Sequence, residues 1–228
     1  MTTRPFLLVA EKIPDEPRQQ RSAGKRARLK VAALELFAER GYEATSIGAI
    51  ARRARIAVGG FYQHFRSKRQ VLLVLMDDLL EALSRLDLRP RTSGGVRAGL
   101  HALLSGALAS DLRYLGAYRA WQEAALSDRD LAKKQQEIDR WTTARVTAVL
   151  TALQQLPGAR GNVNIPALAH VVDSMFWALL ARAPHLSRAE LNEWIEATTH
   201  VLYHTLFTDA ERLEASQRRR GEPTQGEP

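Results

Sequence analysis

Residues 45–65 read TSIGAIARRARIAVGGFYQHF. Thr45 and Ser46 offer hydroxyl N-caps for a short helix that turns Ile47, Ile50, Ala51 and Ala54 to one side. Arg55, Ile56 and Ala57 leave room only for a tight turn, after which a second short helix runs from about Val58 to Phe65. Two short helices three residues apart have the proportions of a helix-turn-helix, which lays its second helix in a DNA major groove. That second helix carries little bulk at its start, Val58-Gly59-Gly60, and then presents Phe61, Tyr62, Gln63 and His64. Adjacent glycines cost a helix roughly 1 kcal/mol each relative to alanine, so something other than helicity holds them there. Two readings fit: close approach of backbone to a groove floor, or a close crossing with another helix.

Upstream, Leu29, Ala32, Ala33, Leu36 and Phe37 form one apolar stripe at helical spacing, and Gly41 supplies the left-handed residue that closes it. Downstream, Ser67 with Gln70 makes a capping box for a long helix to about Leu86. The same grammar predicts helices at 95–109, 112–126, 129–155, 165–182 and 188–208, broken at Pro90, Gly94-Gly95, Ser110-Asp111, Ser127-Asp128, Pro157-Gly158 and Pro184. No strand pattern competes. The expected fold is all-α, with an N-terminal three-helix DNA-binding domain and a C-terminal helical domain. Residues 1–23 read as a mobile basic arm, 24–70 as the helix-turn-helix domain, 71–210 as a ligand-binding and dimerisation domain, and 211–228 as a polar tail.

Charge supports this division. The 228-residue chain carries 33 Lys and Arg against 25 acids, a net +8. From Arg18 to Arg69 thirteen basic residues face three acids, a net +10, which leaves −2 for the rest. A basic segment on a nearly neutral body is the footprint of a phosphate-touching module, and equally that of a solvated basic face. With no cysteine there is no disulfide framework, thiolate metal site or Cys nucleophile; a cytoplasmic setting fits. The longest unbroken apolar run, Met175 to Ala181, falls short of the ~18 residues that span a bilayer, so no membrane role is expected. No phosphate-cradling, dinucleotide-binding or nucleophile-elbow motif occurs, so neither enzyme activity nor a cofactor is expected. His200 and His204, with Glu196 a turn earlier, have a spacing that suits a metal and equally an interface stripe; without an H-E-x-x-H pattern no metal is expected.

The pattern Leu29-x-x-Ala32-Ala33-x-x-Leu36-Phe37-x-x-x-Gly41-Tyr42-x-x-Thr45-Ser46-x-x-x-Ile50-Ala51-x-x-Ala54-x-Ile56-x-x-Gly59-x-x-Tyr62-x-His64-Phe65-x-x-Lys68 resembles the DNA-binding domain of the TetR family of bacterial transcriptional regulators. The resemblance covers about residues 25–72. It implies a homodimeric repressor that binds double-stranded operator DNA and is released by a small molecule. It puts Thr45 or Ser46 on a phosphate, Val58, Gly60 and Phe61 nearest base edges, Tyr62 and His64 at the groove edge, and Lys68 on a phosphate at a helix N-terminus. His64 reads equally as a packed histidine. Arg55 stands where the family has its turn glycine, so a left-handed Arg55 would be strained unless its side chain reached a phosphate. Ala57 stands where a capping Ser or Thr is frequent. Gln63 alone could make a bidentate base contact, so specificity would lean on thymine methyl groups, DNA shape, and Arg18, Arg21, Lys25, Arg26 or Arg28 in a minor groove. An activator would use the same residues, and Arg55, Ala57 and the polar-poor second helix also suit a small-molecule-binding helical protein with only non-specific DNA affinity.

The last two predicted helices are apolar on two faces, which suits a two-fold four-helix bundle through Val172, Met175, Leu179, Trp194, Ile195, Val201 and Leu202, or a larger monomeric core. His101, Tyr114, Tyr118, Trp121, Trp141, Phe176 and Trp177 make an irregular aromatic set in the body, readable as a small-molecule pocket or as ordinary core.

Overall fold

In a computed structural model, the structure describes residues 3–9, 11, 14, 20–88, 94–111, 114–183 and 186–208. Among them it has nine helices and no strand: α1 (Gln20–Arg40), α2 (Ile47–Arg53), α3 (Val58–Tyr62), α4 (Lys68–Ser84), α5 (Val96–Asp111), α6 (Leu115–Ala125), α7 (Arg129–Gln154), α8 (Ile165–Arg182) and α9 (Arg188–Leu206). The capping residues act as their types predict. Ser46, Ser67, Asp128, Asn164 and Ser187 each accept a hydrogen bond from an N–H of the first turn, and Ser187 with Glu190 completes a reciprocal box. Gln70 departs from the expected box: its carboxamide accepts from the Arg66 N–H at 2.8 Å. Gly41 closes α1 at φ 80.

One continuous core joins head and body. Leu29, Leu36, Phe37, Ile50, Phe61 and Phe65 of the head meet Leu72, Leu75, Met76 and Leu79 of α4 and Trp121 of α6, all essentially inaccessible. A second cluster, including Leu100, Leu150, Leu153, Ile165 and Leu206, closes the far end of the body. There Arg160 N–H donates to the Leu206 carbonyl at 2.7 Å, tying the α7–α8 connection to the end of α9.

The N-terminal segment corrects an expectation. Residues 3–9 are docked, with Leu7 fully buried and the Arg4 guanidinium bonded to the Asp77 carboxylate at 2.9 Å. Glu11 reaches Arg69 at 2.5 Å. An apolar Leu7 and two ion pairs fix this stretch on α4, which Pro punctuation alone does not disclose. Arg18 and the tail from residue 211 lie outside the described residues. By length and composition alone, α8 is apolar enough to cross a bilayer. Its apolarity is spread over the whole helix, so counting an unbroken run understates it. In this fold α8 packs along α7 and buries Asp173 against Thr142 and Thr143.

Candidate nucleic-acid interface and ligand cavity

The α2–α3 turn is built by backbone geometry. Ile56 N–H returns to the Ala51 carbonyl at 2.9 Å, which requires Arg55 to take φ 56, the left-handed region. Its side chain is exposed. Ala57 opens α3 with no side-chain cap. Facing outward along α3 and its end are Val58, Gly59, Tyr62 and Gln63, all exposed, with Val58 at 47% and Tyr62 at 53%. Ser46, Arg52, Arg55 and Arg66, on either side of the turn and just beyond α3, are exposed as well.

Several expected DNA contacts face elsewhere. Phe61 is fully buried and packs on Phe65 at 5.8 Å within the core that the head shares with α4. His64 is 2% exposed, with its Nε2 unpartnered among the described residues, so it is a packed histidine. Burial and nearby Arg26 and Lys25 hold its pKa below the ordinary 6.5. Thr45 is buried and donates its hydroxyl to the Gly41 carbonyl at 2.7 Å, closing the α1–α2 loop; Ser46 is the cap. Lys68 spends its ammonium on the Tyr42 carbonyl at 2.6 Å and over the Tyr42 ring at 4.1 Å. A Cβ on Gly60 would lie 2.7 Å from Ile56 Cγ2, whereas one on Gly59 would meet nothing within 4 Å. Gly60 therefore serves packing, and Gly59 leaves open backbone on the exposed face.

Neutralisation also redistributes the basic segment. Arg53 is clamped by Glu35 and Glu39 at 3.0 and 2.8 Å, Lys30 pairs with Asp78, and Arg69 is held by Glu11, Asp128 and Asp130. Lys25, Arg28, Arg52, Arg55 and Arg66 stay exposed. Arg26 lies over the Phe65 ring at 4.9 Å, partly buried, and the Arg21 side chain lies outside the described residues.

The body contains a cavity of about 860 Å³, counting its open mouth, between α4, α5, α7 and α8. Trp141, Phe176 and Trp177 line it as expected. The other four expected positions do not. Trp121 is core and donates its indole N–H to Gln135 at 2.6 Å; Tyr118 stacks on the far side of Trp177 at 4.6 Å; Tyr114 sits at the α6 N-cap; and His101 faces Glu196 at 3.4 Å. Most of the wall is aliphatic, with Leu83, Leu103, Val146 and Val149 among it, positions whose helical spacing reads only as core. Its polar groups are Thr142, Arg145, Asp173 and the Trp177 indole. Asp173 accepts from Thr142 at 3.1 Å and Thr143 at 3.0 Å, and burial pushes its pKa up. The Trp177 N–H, near that carboxyl, is buried with no acceptor in hydrogen-bond geometry among the described residues.

Of the seven expected interface residues, Met175, Trp194 and Val201 point outward at 40, 40 and 52% exposure, and Val171 joins them at 53%. Leu179, Ile195 and Leu202 are buried within the chain and Val172 lines the cavity, because the inward stripe of each helix is already used by α5 and α7. The His200 and His204 rings lie 4.1 Å apart, and no group of three ligands fit for a metal occurs among the described residues.

Cavity and head are joined through α6. Trp177 stacks on Tyr118 of α6; Gly116 of the same helix crosses α1 so closely that a Cβ would lie 2.1 Å from the Leu34 carbonyl oxygen. At the other end of α6, the Glu123 carboxylate accepts from the Tyr42 and Glu43 N–H groups at 2.5 and 3.1 Å.

A family model described as bacterial regulatory proteins, tetR family, matches residues 30–75. Over 70 residues the chain is 40% identical to the HTH-type transcriptional repressor KstR2 of Mycolicibacterium smegmatis, 31% of this chain and 33% of that one. Over 99 residues it is 35% identical to the HTH-type transcriptional regulator TcmR of Streptomyces glaucescens, 40% of this chain and 44% of that one. These matches thus span less than half the length of either relative. Two solved structures share the fold over most of their length. One is a TetR family transcriptional regulator from Pseudomonas syringae pv. tomato, with TM-score 0.60 and 21% identity over 81% of this chain and 98% of that one. The other is a SmeT–triclosan complex, with TM-score 0.61 and 21% identity over 82% and 93%.

Proposed function

We propose that this chain, a member of the TetR family of bacterial regulatory proteins by its N-terminal domain, is a ligand-responsive transcriptional regulator. As a homodimer it occupies a palindromic operator as a repressor, and it leaves when a small molecule fills the body cavity. The observation that carries this reading is the physical join between the two sites. The cavity wall at Trp177 rests on Tyr118, and the same helix meets α1 at Gly116 and holds the α1–α2 loop through Glu123. A ligand that displaces Trp177 therefore acts on α6, and α6 cannot move without taking the head along. Release requires that the ligand bind the released state more tightly than the DNA-bound one.

On DNA, the open backbone at Gly59 lets the start of α3 sit deep in the major groove. Val58 and Tyr62 offer apolar contact to thymine methyl groups, and Gln63 is the side chain able to read a base bidentately. Ser46, Arg52, Arg55 and Arg66 take phosphates, and Lys25 and Arg28 follow the backbone or minor groove. Lys68 acts indirectly, by holding the α1–α2 loop. The outward stripe of Val171, Met175, Trp194 and Val201 packs against a second copy, and two-fold pairing of heads suits half-sites a whole number of helical turns apart. The work of such a protein is binding; no catalytic role is assigned to any residue.

The test is fluorescence anisotropy of the full chain on DNA flanking its own gene and on a shuffled control, across a salt series. A preference of about a thousandfold with two protomers per site is expected. Equal affinities that fall together with salt would favour the non-specific reading, for which the scarcity of polar side chains on α3 speaks.

A further inference from the structure

Arg145 is a partly buried arginine in the wall of the body cavity. Of the other partly buried arginines, Arg4 and Arg69 each hold a carboxylate at 2.5–2.9 Å, and Arg26 lies on the head against the Phe65 ring, away from any cavity wall. Among the described residues no acid approaches Arg145 within ion-pair distance, although its guanidinium lies in the cavity wall amid leucines and valines. It donates one hydrogen bond, Nη2 to the Leu83 carbonyl at 2.8 Å, and rests over the Trp141 ring at 4.9 Å. Four of its five N–H donors have no protein acceptor among the described residues. Asp173, the acid in the same cavity, accepts two threonine hydroxyls and is not paired with Arg145. A cation withdrawn from water without a counter-charge is unfavourable, and an anion arriving from solvent relieves it.

We propose that the cavity takes an apolar carboxylate, its carboxyl group on the Arg145 guanidinium and its hydrocarbon against Leu83, Leu103, Val149 and Phe176. The planar fork of arginine fits a carboxylate through two parallel hydrogen bonds, and the Trp141 ring at 4.9 Å holds the guanidinium at the cavity wall. Thr142 and Thr143 keep Asp173 from competing for the guanidinium. This assignment rests on the reading of the cavity as the effector site.

The test titrates the full chain with decanoate, decan-1-ol and decylamine, below their aggregation limits, and follows the fluorescence of Trp141 and Trp177. Decanoate is expected to bind about ten- to a hundredfold more tightly than the alcohol, with the amine weakest. R145Q should bring decanoate down to the alcohol's affinity while leaving the alcohol within about threefold. R145K, which keeps the charge and the stem, should retain part of the preference and covers the case in which R145Q does not fold. Equal binding of decanoate and decanol, tightest binding of the amine, a preference that survives R145Q, or no binding of any of the three would overturn the assignment. Arg145-dependent binding of decanoate that leaves DNA bound would keep it and sink the coupling to DNA release. Release of DNA by alcohol and acid alike would do the reverse.

Discussion

A Cβ at position 59 enters open space and one at position 60 strikes Ile56, so packing requires only the second of the two adjacent glycines. Gly59→Ala should stabilise the chain by about 0.5–1 kcal/mol, the usual gain from replacing a helical glycine, while weakening binding to the operator. Gly60→Ala gains the same propensity but displaces the Ile56 methyl, so its thermal midpoint should fall below that of Gly59→Ala. Melting curves and anisotropy on both variants check the pair, and an unchanged operator affinity for Gly59→Ala would remove that residue from the groove. His64 gives a pH dependence at the same scale. Its folded pKa lies below the unfolded 6.5, so the unfolded chain binds the proton first. Its contribution to stability is whole above about pH 6.5 and is lost as pH falls toward the lowered folded pKa. The melting temperature should therefore drop between pH 7.5 and 5.5, and His64→Gln should lose most of that drop. Arg55 and Thr45 show how far residue-level reading reached. The strained Arg55 is legible through the resemblance, which puts a turn glycine at that position, whereas Thr45 and Ser46 are indistinguishable as caps until the loop places one inside.

Element boundaries were largely legible, since caps and breakers are local chemistry: Asp128, Asn164 and Ser187 start their helices where hydroxyl, carboxyl and amide acceptors predict. Contacts between elements were not. Gly116 reads as an ordinary interruption of a helix, yet α6 and α1 cross there at backbone distance. Gly116→Ala must push Leu34 and its carbonyl away, and should cost about 1–3 kcal/mol, as overpacking does. Because the same crossing joins cavity to head, ligand titrations of Gly116→Ala should also release less DNA at saturation than the parent chain. Full release would show that α6 does not carry the coupling.

For the molecule as a whole, the proposed assembly rests on the outward stripe of α8 and α9. Trp194 is 40% exposed beneath the Arg182 guanidinium at 5.9 Å. Trp194→Arg would set a second guanidinium beside it in the middle of an apolar seam. Analytical ultracentrifugation should then report a monomer that binds operator DNA weakly; a persisting dimer would place the interface elsewhere. Sequence alone determined the all-helical class, the position of the helix-turn-helix and most helix limits, because spacing, caps and breakers act within a few residues. Only the tertiary structure decided which side of a helix faces in, since amphipathic stripes do not name their partners. It sent Phe61, His64 and Thr45 into the core, occupied Lys68, docked Leu7, and left Arg145 without an acid in a cavity whose leucines had read as plain core. Burial and charge pairing are properties of residues far apart in the chain, and they exist only once the helices have packed.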